Sequence, residues 1–437
     1  MEKKQSYAIP IVVMILLFGM ISFVTNLASP MGDILKNQFT IPNWQGTLGV
    51  FANFIAYALM GIPAGNMLQR RGYKTTSLVA VSVGFLGVGV QLVSGLVGSF
   101  GVYLVGALIA GFSMCLLNTV VNPMLNRLGG GGNRGNQLIQ FGGTFNSLCG
   151  TAVIVITGLL IPSIVDAKIS DTFPLMYTAL AIFALAFVVI LLTRIPEPET
   201  SVAEGESLPL RGLLSYRHFV LGAIAIFIYV GVEVGTPNVL NKWLQNPEAP
   251  FFTEDVSAEA VAGSVTAFYW LLMLVGRLVG GLIGSRVSAR RMLAVASGLA
   301  VALVAAAIFI PTSVMVSFPG FNGARGFGLN PVPLSAALLV CVGLCTSVMW
   351  GGIFNLAVEG LGKYTERASG LFMALVCGGG VLPLLMNGVV DIFGVSGYQP
   401  SYWIVVAGFA YILFYALAGS KTNRRPQTSD TLTPNDH

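Results

Sequence analysis

The sequence has little charge and almost no histidine. Charged residues make up 9% of the 437 residues, against about 25% in an ordinary soluble domain. The only two histidines are His218 and His437. Their scarcity argues against histidine-based metal sites and against hydrolases built on a Ser-His-Asp triad. A soluble fold of this length could not cover its surface with so few charges.

The cysteines also lack a functional pattern. There are five, and each falls inside an apolar segment, without the paired spacing of a disulfide framework or a zinc site. They are Cys115, Cys149, Cys341, Cys345 and Cys377. We interpret them as small packing residues, and we expect no metal and no cofactor.

Hydrophobic residues dominate the composition, at 55% of the chain. They form runs of about twenty residues or more, long enough to cross a bilayer core of roughly 30 Å as helices. The run 11–18 shows none of the alternation that a spanning β-strand requires. The pattern predicts an all-α polytopic membrane protein with twelve transmembrane helices. These are expected near 8–30, 43–68, 75–98, 101–126, 136–161, 174–194, 216–240, 258–284, 291–313, 333–358, 367–390 and 400–419.

Positive charge is distributed unevenly along this layout. With twelve spans, most of the 23 Lys and Arg residues fall in the termini and in the loops of one side of the membrane. The positive-inside rule therefore predicts that both termini are cytoplasmic. Because the charge serves to orient the protein, a nucleic-acid partner has no support.

Two loops half a chain apart resemble each other. Residues 65–74 read GNMLQRRGYK and residues 281–291 read GLIGSRVSARR, so each has a glycine four residues before a polar residue and an arginine. The only long charged connection, roughly 195–215, separates the halves. It contains Glu197, Glu199, Glu204 and Glu206, which are spaced like the acids of a solvated linker. We predict an N-terminal six-helix bundle, a cytoplasmic linker, a C-terminal six-helix bundle and a cytoplasmic tail, at 1–195, 196–215, 216–420 and 421–437 respectively.

The first of these loops is similar to the signature loop of the major facilitator superfamily, Gly-x-x-x-Asp-Arg-x-Gly-Arg/Lys-Arg/Lys. Gln69 stands where that family has aspartate. The resemblance implies two pseudo-symmetric six-helix bundles that rock around a site near the membrane midplane. The alternative for Arg70, Arg71 and Lys74 is that they serve only as topology anchors.

Ionisable residues at membrane depth are costly and indicate function. Glu233 lies near the centre of the span 216–240, and we predict that it faces the substrate cavity. The alternative is a buried partnership with Arg277 or with backbone. Asp33 closes the first segment, whereas Glu359 and Asp391 lie near helix ends, where side chains reach water.

Amides and aromatic rings cluster in several spans. Asn and Gln both donate and accept hydrogen bonds, which suits vicinal hydroxyls, and an aromatic plane packs against the C–H face of a sugar ring. We therefore predict a monosaccharide site. Besides Glu233, its candidate residues are Asn26, Asn118, Asn122, Gln140, Asn146, Asn238, Tyr269, Trp270, Trp350 and Asn355. For any single asparagine, the alternative is a helix-to-helix hydrogen bond.

Six runs resemble the fucose/galactose/glucose:proton symporter family of this superfamily. They are DILKNQF (33–39), LNTVVNP (117–123), TFNS (144–147), YVGVEV (229–234), SVMW-x-x-IF (347–354) and EGLGKYT (359–365). The resemblance implies that Asp33 couples transport to protons, that Asn146 contacts sugar, and that Glu233 is the acid of the glucose/galactose type. Asn118 stands where the fucose type has a glutamate. An amide cannot carry a proton, so shared coupling through Glu233, coupling to sodium and absence of coupling are alternatives.

We thus expect a secondary active transporter that imports a hexose or related sugar by cation symport, with the proton as the expected cation. It is expected to be a monomer in the plasma (inner) membrane, with the sugar, the cation and the lipid bilayer as partners. One alternative is a drug/proton antiporter of the same fold, with a more apolar pocket. Another is an integral-membrane enzyme such as a lipid-linked glycosyltransferase, which would need catalytic carboxylates or a metal on a larger loop. We therefore predict no enzyme activity.

Overall fold

The structure is a computed structural model that describes residues 7–39, 48–160, 168–197, 209–248, 251–252, 256–322 and 326–422. The side chains of residues 27–33, 35–39, 49–50, 154–155 and 157–160, which include that of Asp33, lie outside this description. The described residues form two compact units. The first contains the residues up to Phe219 together with Val358–Val376, and the second contains Val220–Ala357 and Cys377–Lys421.

Six long helices from the first half of the chain build the first unit. They are α1 (Ala8–Phe39), α2 (48–71), α3 (73–97), α4 (Phe100–Leu128), α5 (Gly132–Leu160) and α6 (Phe173–Leu192). Helices α2 and α3 form one run, Leu48–Val97, interrupted at Gly72, whose φ of 75° favours glycine. Helix α1 packs on α5, and α4 packs along α2 and α3. Helix α11a (Thr365–Ala374), from the second half of the chain, packs on α2 in the same unit.

The other helices of the second half lie mainly in the second unit. They are α7 (Arg217–Leu244), α8 (Ala258–Ile283), α9 (Ala289–Phe309), α10a (Leu334–Thr346), α10b (Met349–Val358), α11b (Gly378–Phe393) and α12 (Trp403–Phe414). Helix α10a packs between α8 and α9, and α9 also contacts α12. A single π-helical turn, Tyr415–Gly419, extends α12.

The predicted spans agree with these helices, with three differences in detail. Among the described residues, nine helices are long and apolar enough to cross a membrane, and one of them, Phe51–Val97, contains two spans joined at Gly72. The predicted spans 333–358 and 367–390 are each broken into two helices. The break in the second is the 3₁₀ turn Leu375–Cys377, just before a triple glycine that disfavours regular helix.

The third difference concerns the end of the first span. Helix α1 continues to Phe39, past its predicted end at residue 30, because the polar residues 33–38 include good helix formers and nothing there stops a helix. Asp33, predicted to close the first span, follows the apolar stretch Ala8–Asn26 but still lies within the helix α1.

A β-hairpin that the sequence analysis did not predict connects α9 to α10a. Strand β1 (Met315–Phe321) pairs with the antiparallel strand β2 (Phe327–Pro333), with Met315 opposite Pro333 and Phe321 opposite Phe327. The strands contain several prolines and glycines, which disfavour strand interiors. These residues made the segment resemble an irregular loop.

Candidate substrate and coupling site

The centre of α7 carries a buried charged network. Glu233 and Arg277 of α8 each have side chains only 12% exposed, and their Oε1 and guanidinium nitrogen lie 3.4 Å apart. Tyr229, one turn before Glu233, donates its hydroxyl hydrogen to the same oxygen at 2.6 Å. Each charge alone would be costly at this depth. The partnership with Arg277, which the sequence left as an alternative, is present.

Pro237 determines which group donates a hydrogen bond to the backbone carbonyl of Glu233. Proline has no N–H, so the carbonyl four residues before it, that of Glu233, lacks its helical donor. Tyr269 of α8 donates its hydroxyl to that carbonyl at 3.2 Å. The same hydroxyl lies 3.2 Å from Oγ1 of Thr346 in α10a. One phenol therefore connects three helices beside the Glu233–Arg277 pair.

The other predicted residues of this unit are arranged unevenly around the network. The ring of Trp350, at the start of α10b, lies 6.3 Å from that of Tyr229. Trp270 packs edge-on against Tyr269 but is 39% exposed, so the two rings do not share one surface. Asn238 is exposed and accepts a hydrogen bond from Asn387 at 3.3 Å. Asn355 is buried in α10b.

Two of the predicted amides lie on one face of α4. The Nδ2 of Asn118 donates to the hydroxyl of Tyr57 in α2 at 2.6 Å. Asn122, one turn later, donates to the backbone carbonyl of Asn118 at 2.9 Å. Their four-residue spacing predicts this shared face. Both amides thus donate hydrogen bonds within the protein. The bond from Asn118 links α4 to α2 and orients Tyr57.

The remaining predicted amides of the first unit lie on α1 and α5. Asn146 donates from Nδ2 to the carbonyl of Phe18 in α1 at 2.7 Å. Asn26 donates to the carbonyl of Ser22 at 2.8 Å, and a side chain at Gly150 of α5 would collide with both Ser22 and Asn26. The structure thus brings Asn26 and Asn146 to the same pair of helices. Gln140, on α5, is buried.

A second buried charge cluster was not singled out from the sequence. Arg127, at the end of α4, lies 2.6 Å from the carboxylate of Glu366 in α11a. The same carboxylate accepts a hydrogen bond from the Tyr73 hydroxyl at 3.3 Å. The Arg127 guanidinium lies 6.0 Å from the centre of the Tyr73 ring. In the sequence both residues resemble ordinary charged residues at helix ends, so nothing there indicated that they form a pair.

The signature loop between α2 and α3 is bound by the carboxylate of Glu197, which lies outside the loop in the sequence. Gly72 turns the chain so that the N–H groups of Tyr73 and Lys74, at the start of α3, both donate to the carboxylate of Glu197 at 2.7 Å. Helix N-termini favour such anions. Burial raises the pKa of Glu197, although these backbone hydrogen bonds oppose the shift. Glu197, which the sequence places in the linker between the halves, is exposed and also binds the start of α3.

The remaining signature positions bring α2 close to α11a. Gln69, in the position of the family's aspartate, donates to the backbone carbonyl of Lys363 at 3.2 Å. A Cβ atom at Gly61 would collide with Ala374, and one at Gly65 would collide with Gly370. Small residues spaced by four allow this approach in membranes. The signature glycine is therefore required for contact with α11a.

Within the part of the chain that the structure describes, the residue types that bind metals are not grouped for metal binding. No group of three or more His, Cys, Asp or Glu residues there could hold a metal ion. The ion pairs found in those residues are Arg127–Glu366 and Glu233–Arg277. Apolar helices long enough to span a membrane, with Glu233 and Arg277 paired in the middle of two of them, are typical of polytopic membrane transporters.

Comparison with known proteins gives the family. The family model described as Major Facilitator Superfamily matches residues 11–384. The chain belongs to the major facilitator superfamily. It is accordingly an integral, multi-pass membrane transporter and not an enzyme, with twelve transmembrane helices in two six-helix bundles.

Individual relatives cover nearly the whole chain. A protein named glucose/galactose transporter, from Brucella abortus biovar 1 (strain 9-941), is 28% identical over 430 residues, 96% of both chains. The L-fucose-proton symporter of Escherichia coli (strain K12) is 25% identical, over 96% of this chain and 95% of its own length. The crystal structure of the transporter FucP in the outward conformation matches with a TM-score of 0.78 at 21% identity. That match covers 96% of this chain and 100% of FucP.

Proposed function

We propose that the chain is a secondary active transporter that imports a monosaccharide together with a cation, with the proton as the expected cation. The observation that carries this proposal is the extent of the similarity to the Brucella glucose/galactose transporter, 96% of both chains. The similarity to the L-fucose-proton symporter supports the same class of substrate and the coupling to protons.

The network around Glu233 supplies one set of groups for a sugar. A carboxylate accepts hydrogen bonds from hydroxyls, and the half-buried Trp350 ring, which packs near the buried Tyr229 ring, offers aromatic surface for the C–H face of a hexose. The pair with Arg277 orients the Glu233 carboxylate when sugar is absent. Tyr269, Trp270, Asn238 and Asn355 remain candidates for the same site, of which Tyr269 contacts the backbone of Glu233.

The first unit supplies amides. Asn146 gives one of its two N–H hydrogens to Phe18, so the groups it has to offer a sugar hydroxyl are its carbonyl oxygen and its second N–H. Asn118 acts through Tyr57, whose hydroxyl it contacts. Asn26, Asn122 and Gln140 stay candidates of the same kind. Loss of one hydrogen bond to a buried hydroxyl costs about 0.5–1.5 kcal/mol, so Asn146→Ala should weaken sugar binding several-fold.

Coupling is proposed to use Asp33, with Glu233 as the second candidate. Asn118 cannot carry a proton, and this leaves Asp33 as the carboxylate in the first half of the chain that matches the symporter family. A neutral, protonated Asp33 would let the loaded transporter change state. Sodium coupling and uncoupled transport are the alternatives, and an imposed ion gradient distinguishes them.

The Arg127–Glu366 cluster is proposed to close the transporter on one side. It joins α4, from the first half of the chain, to α11a, from the second half. Alternating access requires such contacts to break and reform as the site changes sides. By the positive-inside rule this side is cytoplasmic, as are both termini, and we retain the division into bundles at 1–195 and 216–420, linker 196–215 and tail 421–437. A monomer is the expected functional unit.

Entrance counterflow in proteoliposomes tests the proposed substrate class. Vesicles loaded with unlabelled glucose, galactose or L-fucose are diluted into the labelled sugar, without any ion gradient. We expect transient accumulation of at least one sugar, absent from protein-free vesicles and reduced in Asn146→Ala. Exchange of none of these sugars, together with proton-driven movement of an apolar cation, would instead establish the drug antiporter.

A further inference from the structure

The β-hairpin between α9 and α10a has one packed face and one open face. Val316, Phe318, Asn330 and Val332 point to the packed face, where the Phe318 ring lies 5.2 Å from that of Phe268 in α8. The backbone N–H of Phe321 also donates to Oγ of Ser264 in α8 at 2.8 Å. The hairpin is therefore fixed to the first half of α8.

The open face is apolar and carries no charge. Its residues are Met315, Ser317, Pro319, Phe321, Phe327, Leu329 and Pro331. The large ones are strongly exposed, at 59% for Phe321, 62% for Phe327 and 71% for Leu329. The rings of Phe321 and Phe327 pack edge to face at 5.3 Å. In water this surface would be unfavourable.

The position of the hairpin along α8 sets its depth. Ser264 and Phe268 begin a stripe that continues through exposed Leu271, Val275, Leu278 and Leu282 at helical spacing. The far end of α8 is followed by exposed Arg286 and Arg291, which mark one edge of the membrane. At 1.5 Å per residue, Ser264 lies roughly 30 Å along the helix from Ile283. That distance matches a hydrocarbon core of roughly 30 Å, so the hairpin lies at the opposite edge.

Helix α9 independently indicates the same depth of the hairpin in the membrane. Helix α9 starts beside these arginines at Ala289 and ends at Phe309. Phe309 is 73% exposed and packs edge to face with exposed Trp403, at a ring distance of 5.8 Å. Exposed aromatic pairs are typical of the membrane interface. The hairpin starts six residues after Phe309, so it begins at this aromatic level.

We propose that the open face of the hairpin is inserted into the bilayer interface, where it contacts lipid at the boundary between headgroups and acyl chains. It anchors the connection from α9 to α10a in the plane of the membrane. A protein partner adding a strand fits less well, because prolines in both strands remove backbone donors and blunt the edges. The proposal does not depend on which substrate is transported.

Depth-dependent fluorescence quenching tests the proposal on the full chain in phosphatidylcholine nanodiscs. The five cysteines are replaced by alanine, and one cysteine carrying an environment-sensitive fluorophore is introduced by Leu329→Cys. Two matched controls lie on α8: Glu259→Cys, exposed in its first turn, and Leu278→Cys, on the exposed apolar stripe. Quenchers are iodide in water and nitroxides attached to lipid at shallow or deep positions. Retained sugar counterflow, or unchanged gel-filtration behaviour, identifies the variants that fold.

We expect the probe at position 329 to be quenched several-fold more by the shallow nitroxide than by the deep one. Iodide should quench it several-fold less than the probe at position 259, and the probe at position 278 should respond most to the deep nitroxide. Iodide quenching at 329 equal to that at 259 would overturn the proposal. Protection from iodide without quenching by either lipid would also overturn it, because a protein, such as a second copy, would then cover the face.

Discussion

Tyr269 donates its hydroxyl hydrogen to the backbone carbonyl of Glu233, the carbonyl that Pro237 leaves without a helical donor. A helix break and a side chain on a neighbouring helix thus complement each other beside the Glu233–Arg277 pair. The same arrangement occurs in the first unit, where Pro123 frees the carbonyl of Thr119 and Ser369 donates to it at 3.0 Å. In both units a proline within a span removes one helical hydrogen bond, and a side-chain hydroxyl from another helix donates to the freed carbonyl instead.

Tyr269→Phe should destabilise the protein because it leaves the Glu233 carbonyl buried without a donor. The expected loss is about 1–3 kcal/mol in the free energy of unfolding, measured by denaturation in detergent. Pro237→Ala restores an N–H to that carbonyl, so the same tyrosine substitution should cost less in the Pro237→Ala background. Equal costs in the two backgrounds would refute the link between Tyr269 and Pro237.

Glu233→Gln should reduce sugar affinity and transport while the protein still inserts, because the change removes the charge and preserves the shape. It also leaves Arg277 without its carboxylate, a loss that costs about 3–5 kcal/mol for a buried pair. The matching variant Glu233→Gln with Arg277→Gln removes both charges. It should recover stability but not sugar binding, as judged by unfolding and by binding isotherms. Normal affinity in the double variant would show that the pair is purely structural.

Glu366→Gln should weaken the closure on the Arg127 side. The test uses Ala368→Cys, a buried position on the same helix, in a chain without other cysteines. The rate of its labelling by a membrane-impermeant maleimide should rise when Glu366 is neutralised. Glu359→Gln is the control, since Glu359 is exposed on the preceding loop. Labelling that responds equally to both substitutions would contradict a specific role for Glu366.

Glu197 predicts a dependence of stability on pH. Its pKa is raised from the ordinary 4.5 by burial in the folded protein, so in the window above pH 4.5 the folded state binds more protons than the unfolded state. The free energy of unfolding contributed by this group should therefore fall as pH rises from 4.5 through the raised pKa. Glu197→Gln cannot titrate and should flatten that fall, with Glu248, an exposed acid, substituted as control. An identical pH profile for wild type and Glu197→Gln would contradict the assignment.

The sequence predicted features that depend on position along a helix. Apolar length gave the spans, and four-residue spacing placed Asn118 and Asn122 on one face. The isolation of Glu233 in an apolar run marked it as the residue to explain, and Arg277 was named as its possible partner. These inferences need no knowledge of which helices are neighbours.

Relationships between distant segments could not be predicted in the same way. The contact of Glu366 with Arg127 joins two residues that each resemble a charged helix end, and spacing gives no information about pairing across helices. Glu197 resembled a solvated linker acid, because only the turn at Gly72 reveals the two N–H groups that bind it. The hairpin was missed because its prolines and glycines hide the alternation of its two faces.

Uptake of labelled sugar into proteoliposomes, with a pH gradient and a sodium gradient imposed separately, tests the central claim most directly. We predict that the wild type concentrates sugar when the outside is acidic and not when only sodium is high outside. Asp33→Asn, which resembles the protonated carboxyl, should retain counterflow exchange and lose this accumulation. Accumulation driven by sodium alone, no accumulation under either gradient, or proton-driven accumulation in Asp33→Asn would contradict proton coupling through Asp33.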